Sequence, residues 1–348
     1  MKKSILVLFK IISIIFLYGC GEEELLKNNN PPAQGGGINL YILNEGSSAG
    51  TGKLSRYTSS SDTLIQSIFS GTLSYPDGIM LEAGNLLVVE QGTSFGGPGK
   101  IYKVDGNGNL LSSSQPFGSS PYSLTAANNK IYVTNGPGSN VSVLDKNTLS
   151  VIKTIQAGAY PQEILNIGNK IFVCNTSAYN GPNDSTVSVI DANTDSVIST
   201  ITLRRDPTSI FYKSNSIFIG CNSAGIIYRI DPVSLSKTDS FTISQGFDKD
   251  ISYSNDGNSI NFIDGNNNIT KLDFVNKITN TVVTNPDPVN NRFYGYTYID
   301  KHYILDAKNF IVNGKLYIYS NSGSLEKTFI TGVAPRKTAF NIIVITPE

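Results

Sequence analysis

The serine of Gly46-Ser47-Ser48-Ala49-Gly50 stands in a G-x-S-x-G pattern, the spacing of a nucleophile elbow. An elbow needs a strand, a strained turn and a helix, with a His to take the serine proton. No helical periodicity follows Gly50, and the single His of the chain, His302, lies beside Tyr303 and Ile304 in a strand-like run, where it reads as a packed or surface residue. With 32 Gly in the chain, the Ser48 pattern is a weak hydrolase signal. Five aspartates, Asp105, Asp145, Asp191, Asp231 and Asp273, recur at steps of 40, 46, 40 and 42, which invites metal or acid chemistry. Each is followed by a turn segment such as Asp145-Lys146-Asn147-Thr148, where a carboxylate accepts backbone N–H groups two residues on. They read as turn formers. Asp105-Gly106-Asn107-Gly108-Asn109 starts like a calcium loop, but Leu110 occupies the sharp-turn position and Pro116 that of the bidentate Glu. Cys174 and Cys221 hold equivalent places in consecutive units, farther apart than a disulfide spans, so both are expected as free, buried thiols. No C-x-x-C-H motif and no second His exists for haem, and no cofactor is expected.

The elements that position these residues follow from composition and repeat. The 348 residues carry 27 basic and 27 acidic side chains, which leaves no cationic surplus to neutralise phosphates and argues against a nucleic-acid partner. Only 16% of residues are charged and 39% hydrophobic, the balance of a turn-rich, all-β chain. Residues 130–155 (KIYVTNGPGSNVSVLDKNTLSVIKTI) recur as 170–201, again as 216–243, and more loosely as 258–283. Each copy holds three short apolar runs separated by Asn, Gly, Asp and Ser, the mark of antiparallel strands joined by tight turns. A fourth strand precedes them and starts at a proline: Pro76, Pro121, Pro161, Pro207 and Pro335, at steps of 45, 40, 46 and then 128, the last fitting three more units. Four strands per unit at this period describe one blade of a β-propeller. The expected fold is all-β and seven-bladed, six and eight being the neighbouring solutions. Residues 335–348 would supply the inner strand, and residues 38–75 the outer three, of a shared closing blade. Ile131-Tyr132-Val133-Thr134-Asn135 resembles the repeat of the YVTN, or surface-layer-protein-like, β-propeller family, and Leu40 to Gly46 is similar to the opening of lipid-anchored propellers of the Bacteroidota.

Met1, Lys2 and Lys3 precede a mostly apolar run from Ile5 to Phe16, too short and interrupted to span a bilayer, so it reads as an export signal. Leu17-Tyr18-Gly19-Cys20 resembles a lipobox, which implies a signal peptide over 1–19 and a lipidated Cys20. Two or three acyl chains make a firm membrane anchor. Residues 20–37, with Glu22 to Glu24, Pro31, Pro32 and three successive Gly, read as a flexible tether before a propeller domain at 38–348. The acidic run resembles the signal for display on the outer face of the outer membrane, the periplasmic face being the alternative.

Loops after the second strands and loops leading into the first strands share one propeller face, where function concentrates. The second strands end at Asn44-Glu45, Glu90-Gln91, Asn135, Asn175, Asn222, Asp264 and Asp306, predicting a ring of amides and carboxylates at the channel mouth. The leading loops add aromatics and arginines. The expected ligand-binding set is Glu45, Glu90, Tyr122, Asn135, Tyr160, Asn175, Arg205, Phe247, Arg292, Tyr294 and Arg336, with no catalytic or metal residue assigned. Aromatic faces and planar hydrogen bonders suit a flat or polyhydroxylated ligand, with Arg forks for carboxylate or phosphate. The expected role is a monomeric, lipid-anchored, non-enzymatic module of the cell envelope that captures a small molecule, a glycan or a partner protein. The lipoprotein resemblance adds corrinoid capture for an outer-membrane transporter. The alternative is a propeller hydrolase or lyase, of the metal-dependent lactonase or glycosidase kind, using Glu45, Glu90, Asp264 and Asp306.

Overall fold

The computed structural model describes residues 37–178 and 181–343, and within them β-branched and aromatic runs pair as antiparallel strands throughout. The export signal and Cys20 fall outside the described residues, as does all of the tether except Gly37, which opens the first strand. Among the described residues, twenty-eight strands form seven sheets of four. Blades 1 to 6 occupy residues 76–113, 121–156, 161–202, 207–242, 247–283 and 293–333 in chain order. Blade 7 joins Pro335–Ile343 to the three strands of residues 37–65. Its pairing runs from Gly37 opposite Ile343 to Leu43 opposite Lys337, then shifts at Asn44. The fold is the expected seven-bladed β-propeller, closed by both chain ends.

Burial explains the sequence pattern strand by strand. Second strands such as Ser216–Cys221 lie between two blades and are buried on both faces, hence their continuous apolar runs. Outermost strands such as Val151–Gln156 bury one residue, Ile155, and tolerate Lys and Thr elsewhere. The apolar clusters sit between neighbouring blades: Phe172, Val187 and Val189 of blade 3 meet Ile217 and Ile219 of blade 4, and Leu40 and Ile42 of blade 7 meet Tyr303 and Leu305 of blade 6. Cys174 and Cys221 are free, buried members of the first of these clusters. His302 is buried against the Tyr296 hydroxyl at 2.9 Å, and burial pulls its pKa down to about 4.

The recurrent aspartates make the turns expected of them. Asp105, Asp145, Asp191, Asp231 and Asp273 each accept the N–H two residues on, at 2.8, 3.0, 2.7, 3.0 and 2.9 Å. Lysines then latch one blade onto the next. Lys130 binds Asp195 at 2.7 Å and Lys170 the Pro232 carbonyl at 2.9 Å. Lys213, buried, donates to the carbonyls of Ser254, Asp256 and Ser259 at 2.9, 2.6 and 2.8 Å. Replacing Lys213 with Met strands those carbonyls, and urea unfolding is expected to show a loss of about 2 kcal/mol.

Candidate functional site at the axial mouth

Each inner strand touches the inner strands of both neighbouring blades, so seven strand starts converge around one axis. Those starts pair with the ends of the second strands, for example Pro76 with Glu90, Pro121 with Asn135 and Phe293 with Asp306, which brings the two loop sets to one face. Tyr75, Ser120, Tyr160, Asp206 and Ala334, each directly before an inner-strand Pro, have φ of +50°, +42°, +41°, +61° and +52°. A non-Gly residue rarely adopts this conformation, and its repetition turns the chain sharply from the rim to the axis. The next side chains along, including Asp77, Tyr122, Asp248, Tyr294 and Arg336, form the mouth.

The mouth is a network of acids, cations and tyrosines. Arg336, buried, binds both carboxylate oxygens of Asp250 at 3.2 Å, faces Glu163 at 3.9 Å, and lies 5.1 Å from the centre of the Tyr294 ring. Lys337 binds Glu163 at 2.7 Å and sits over the Tyr122 ring. Burial would raise Glu163, but Lys337 and Arg336 outweigh it and hold this carboxyl below its usual range. Among the described residues, Asp77 has no cation within ion-pair distance. Its Oδ2 accepts from Gln91 at 2.9 Å, its Oδ1 is buried without a partner among the described residues, and burial raises its pKa. Glu45 is driven further. Burial, with the Asp77 charge alongside, pushes it up to about 8, although Arg336 and the Tyr294 hydroxyl, which donates to it at 3.4 Å, oppose the shift. Burial thus favours the protonated form of Glu45 next to a second carboxyl, the environment from which an acid and base pair is made.

The structure divides the sequence-derived residues. Glu45, Tyr122, Tyr294 and Arg336 come together in this network, and Arg292 reaches it by binding Asp248 at 2.9 Å. Tyr160 stands at the rim against Gly136, and Arg205, exposed, pairs with Asp206 at 3.2 Å. Four others serve the blades themselves. Asn135 and Asn175 are fully buried and donate to Ser142 and Ser188 of their own third strands, both at 2.9 Å. Glu90 accepts from the Ser74 N–H at 2.7 Å and Tyr102 at 3.0 Å, and Phe247 packs on Phe262. Part of the predicted ring of amides, Asn44, Asn135 and Asn175, is thus turned into the blades, because the third strand offers each of these Asn a buried hydroxyl partner, whereas Asn222 and Gln91 donate to Asp248 and Asp77 of the mouth. Asp264 and Asp306 likewise bind their own loops. Sequence reasoning passed over Asp77, Glu163, Lys249, Asp250 and Lys337. Their signal was polarity within three residues of an inner-strand start. A recess of about 670 Å³ lies farther out, lined by residues such as Gly50, Lys53, Ser67, Phe69 and Val333, but it does not gather titratable groups as the mouth does. Among the described residues, no three His, Cys, Asp or Glu side chains are grouped as a metal ion would need.

No protein-family profile matches the chain, and no curated protein matches it. Solved structures do. A protein of Bacteroides uniformis named as a candidate 6-phosphogluconolactonase is 16% identical, with a TM-score of 0.66 over 88% of this chain and 100% of its own. The periplasmic gluconolactonase PpgL of Pseudomonas aeruginosa is 14% identical, with a TM-score of 0.65 over 89% of this chain and 100% of its own. Apo AztD of Citrobacter koseri is 8% identical, with a TM-score of 0.58 over 88% of this chain and 99% of its own. All three are β-propellers. At these identities the likeness is one of fold, and it corrects one expectation. The propellers that this chain matches along its length include two named as lactonases, so the non-enzymatic assignment drawn from the sequence does not stand.

Proposed function

We propose that this propeller works in the cell envelope, binds a small hydroxylated organic molecule at its axial mouth, and hydrolyses it by acid and base catalysis. Sugar lactones are the substrate class. The arrangement that carries the reading is the Glu45 carboxyl, pushed up by burial, held by the Tyr294 hydroxyl and set beside Asp77. In lactone opening, one carboxylate accepts a proton from the attacking water, and one carboxylic acid donates a proton to the ring oxygen as the acyl C–O bond breaks. Asp77 and Glu45 fill these two roles, and Tyr122 and Tyr160 supply aromatic faces for a sugar-like ring. The names of the two lactonase propellers support the substrate class.

The envelope location rests on the apolar leader and the Leu17-Tyr18-Gly19-Cys20 motif, with the anchor proposed at Cys20. The Pseudomonas gluconolactonase named above as periplasmic is an envelope propeller, in keeping with this location. The test is acid release from a panel of sugar lactones, followed by pH-stat with the full-length protein. Turnover above the spontaneous rate, declining above about pH 8 as Glu45 loses its proton, is expected. A panel hydrolysed no faster than in buffer overturns the reading.

A further inference from the structure

The inner strand of blade 5 breaks the pattern of its neighbours. Its pairing slips on both sides of Lys249, and Asp250 takes a φ of +55° inside the strand. This bulge sends three successive charged residues, Asp248, Lys249 and Asp250, towards the mouth. The two acids are taken: Asp248 by Arg292 at 2.9 Å and Asp250 by Arg336 at 3.2 Å. Lys337 in turn has Glu163, and Lys308 has Asp306 at 2.8 Å. Among the described residues, Lys249 differs from these cations in having no carboxylate within ion-pair distance. Its Nζ lies 4.4 Å from the centre of the Tyr294 ring, whose hydroxyl holds Glu45. An ammonium over an aromatic face keeps its three donors for another group. Burial, with Arg336 close by, lowers the Lys249 pKa, and a bound anion would offset that cost.

We infer that Lys249 anchors an oxyanion of the ligand, a carboxylate or a phosphate, over Tyr294 and beside the Glu45 carboxyl. This rests on the mouth being the ligand site and narrows the substrate class to sugar lactones that carry a carboxylate or a phosphate away from the ring ester, with the hydroxylated acids and their phosphates as products. A cation at that point also orients the ligand, since a single fixed charge sets which end of a sugar chain faces the acid pair.

The test is calorimetric titration of the full-length protein with gluconate, 6-phosphogluconate and neutral glucose, comparing wild type, Lys249→Met and Lys249→Arg. The wild type is expected to prefer at least one anion over glucose. Lys249→Met should cut that preference about tenfold, and Lys249→Arg should keep most of it. Gluconate bound as well as 6-phosphogluconate assigns a carboxylate site, whereas 6-phosphogluconate alone assigns a phosphate site. A preference that survives Lys249→Met, glucose binding as tightly as the anions, or no anion binding at millimolar concentration overturns the inference. Lactone turnover separates the two proposals. A Lys249-dependent preference without turnover sinks the hydrolase reading and leaves the anchor in place. Turnover with an unchanged KM in Lys249→Met does the reverse.

Discussion

Replacing Arg336 with Met is expected to cost about 3–5 kcal/mol of stability, measured by guanidinium unfolding, because it strands buried charge. Arg336 is only 5% exposed, and it is the cation that meets Asp250 at 3.2 Å. Asp250 is held at φ +55° and keeps one other contact to a neighbouring blade, the Tyr296 N–H at 3.0 Å. The guanidinium also donates to the Tyr294 carbonyl at 3.1 Å and so ties blade 7 to blades 5 and 6. The double variant Arg336→Met, Asp250→Asn removes both charges and should recover part of the loss, with a coupling of roughly 1–3 kcal/mol. A single-variant loss below about 1 kcal/mol would show that water already shields the pair.

Glu45→Gln should lower lactone turnover by about 10²–10⁴-fold while leaving the fold intact, since the amide preserves the shape and removes the transferable proton. The same substitution has a sign in stability. The folded-state pKa of Glu45, about 8, lies above its ordinary 4.5, so between these values the folded protein holds a proton that the unfolded chain has released. Stability contributed by the protonated carboxyl is complete below about pH 4.5 and is lost as pH rises through about 8. Thermal unfolding at pH 5 and pH 9 should therefore show a larger drop for the wild type than for Glu45→Gln. Equal drops would mean that Glu45 is ionised in the folded protein at neutral pH.

The repeat was legible because its physics is local. Prolines at four of the first inner strands, the runs around Ile131 and Ile171, and the aspartates that close third strands each record a contact made identically in successive blades. Blades 5 and 6 were harder to read because Phe247 and Phe293 stand where others have Pro, and because the Asp248–Asp250 bulge interrupts alternation. The mouth was only half legible. Tyr122, Tyr294 and Arg336 could be found from their position after an inner-strand start, but pairing across blades could not. Glu163 meets Lys337 from the far side of the axis, across a separation of 174 residues. Asn135 and Asn175 were read as facing the mouth, although Ser142 and Ser188, two positions into each third strand, were the sign that they face inward.

The pairing of Gly37 with Ile343 makes the first strand wait for the last. Until that late segment arrives, the first strand is paired on one side only, with residues 53–58. The slowest maturation event should be this long-range zippering rather than the making of any one hairpin.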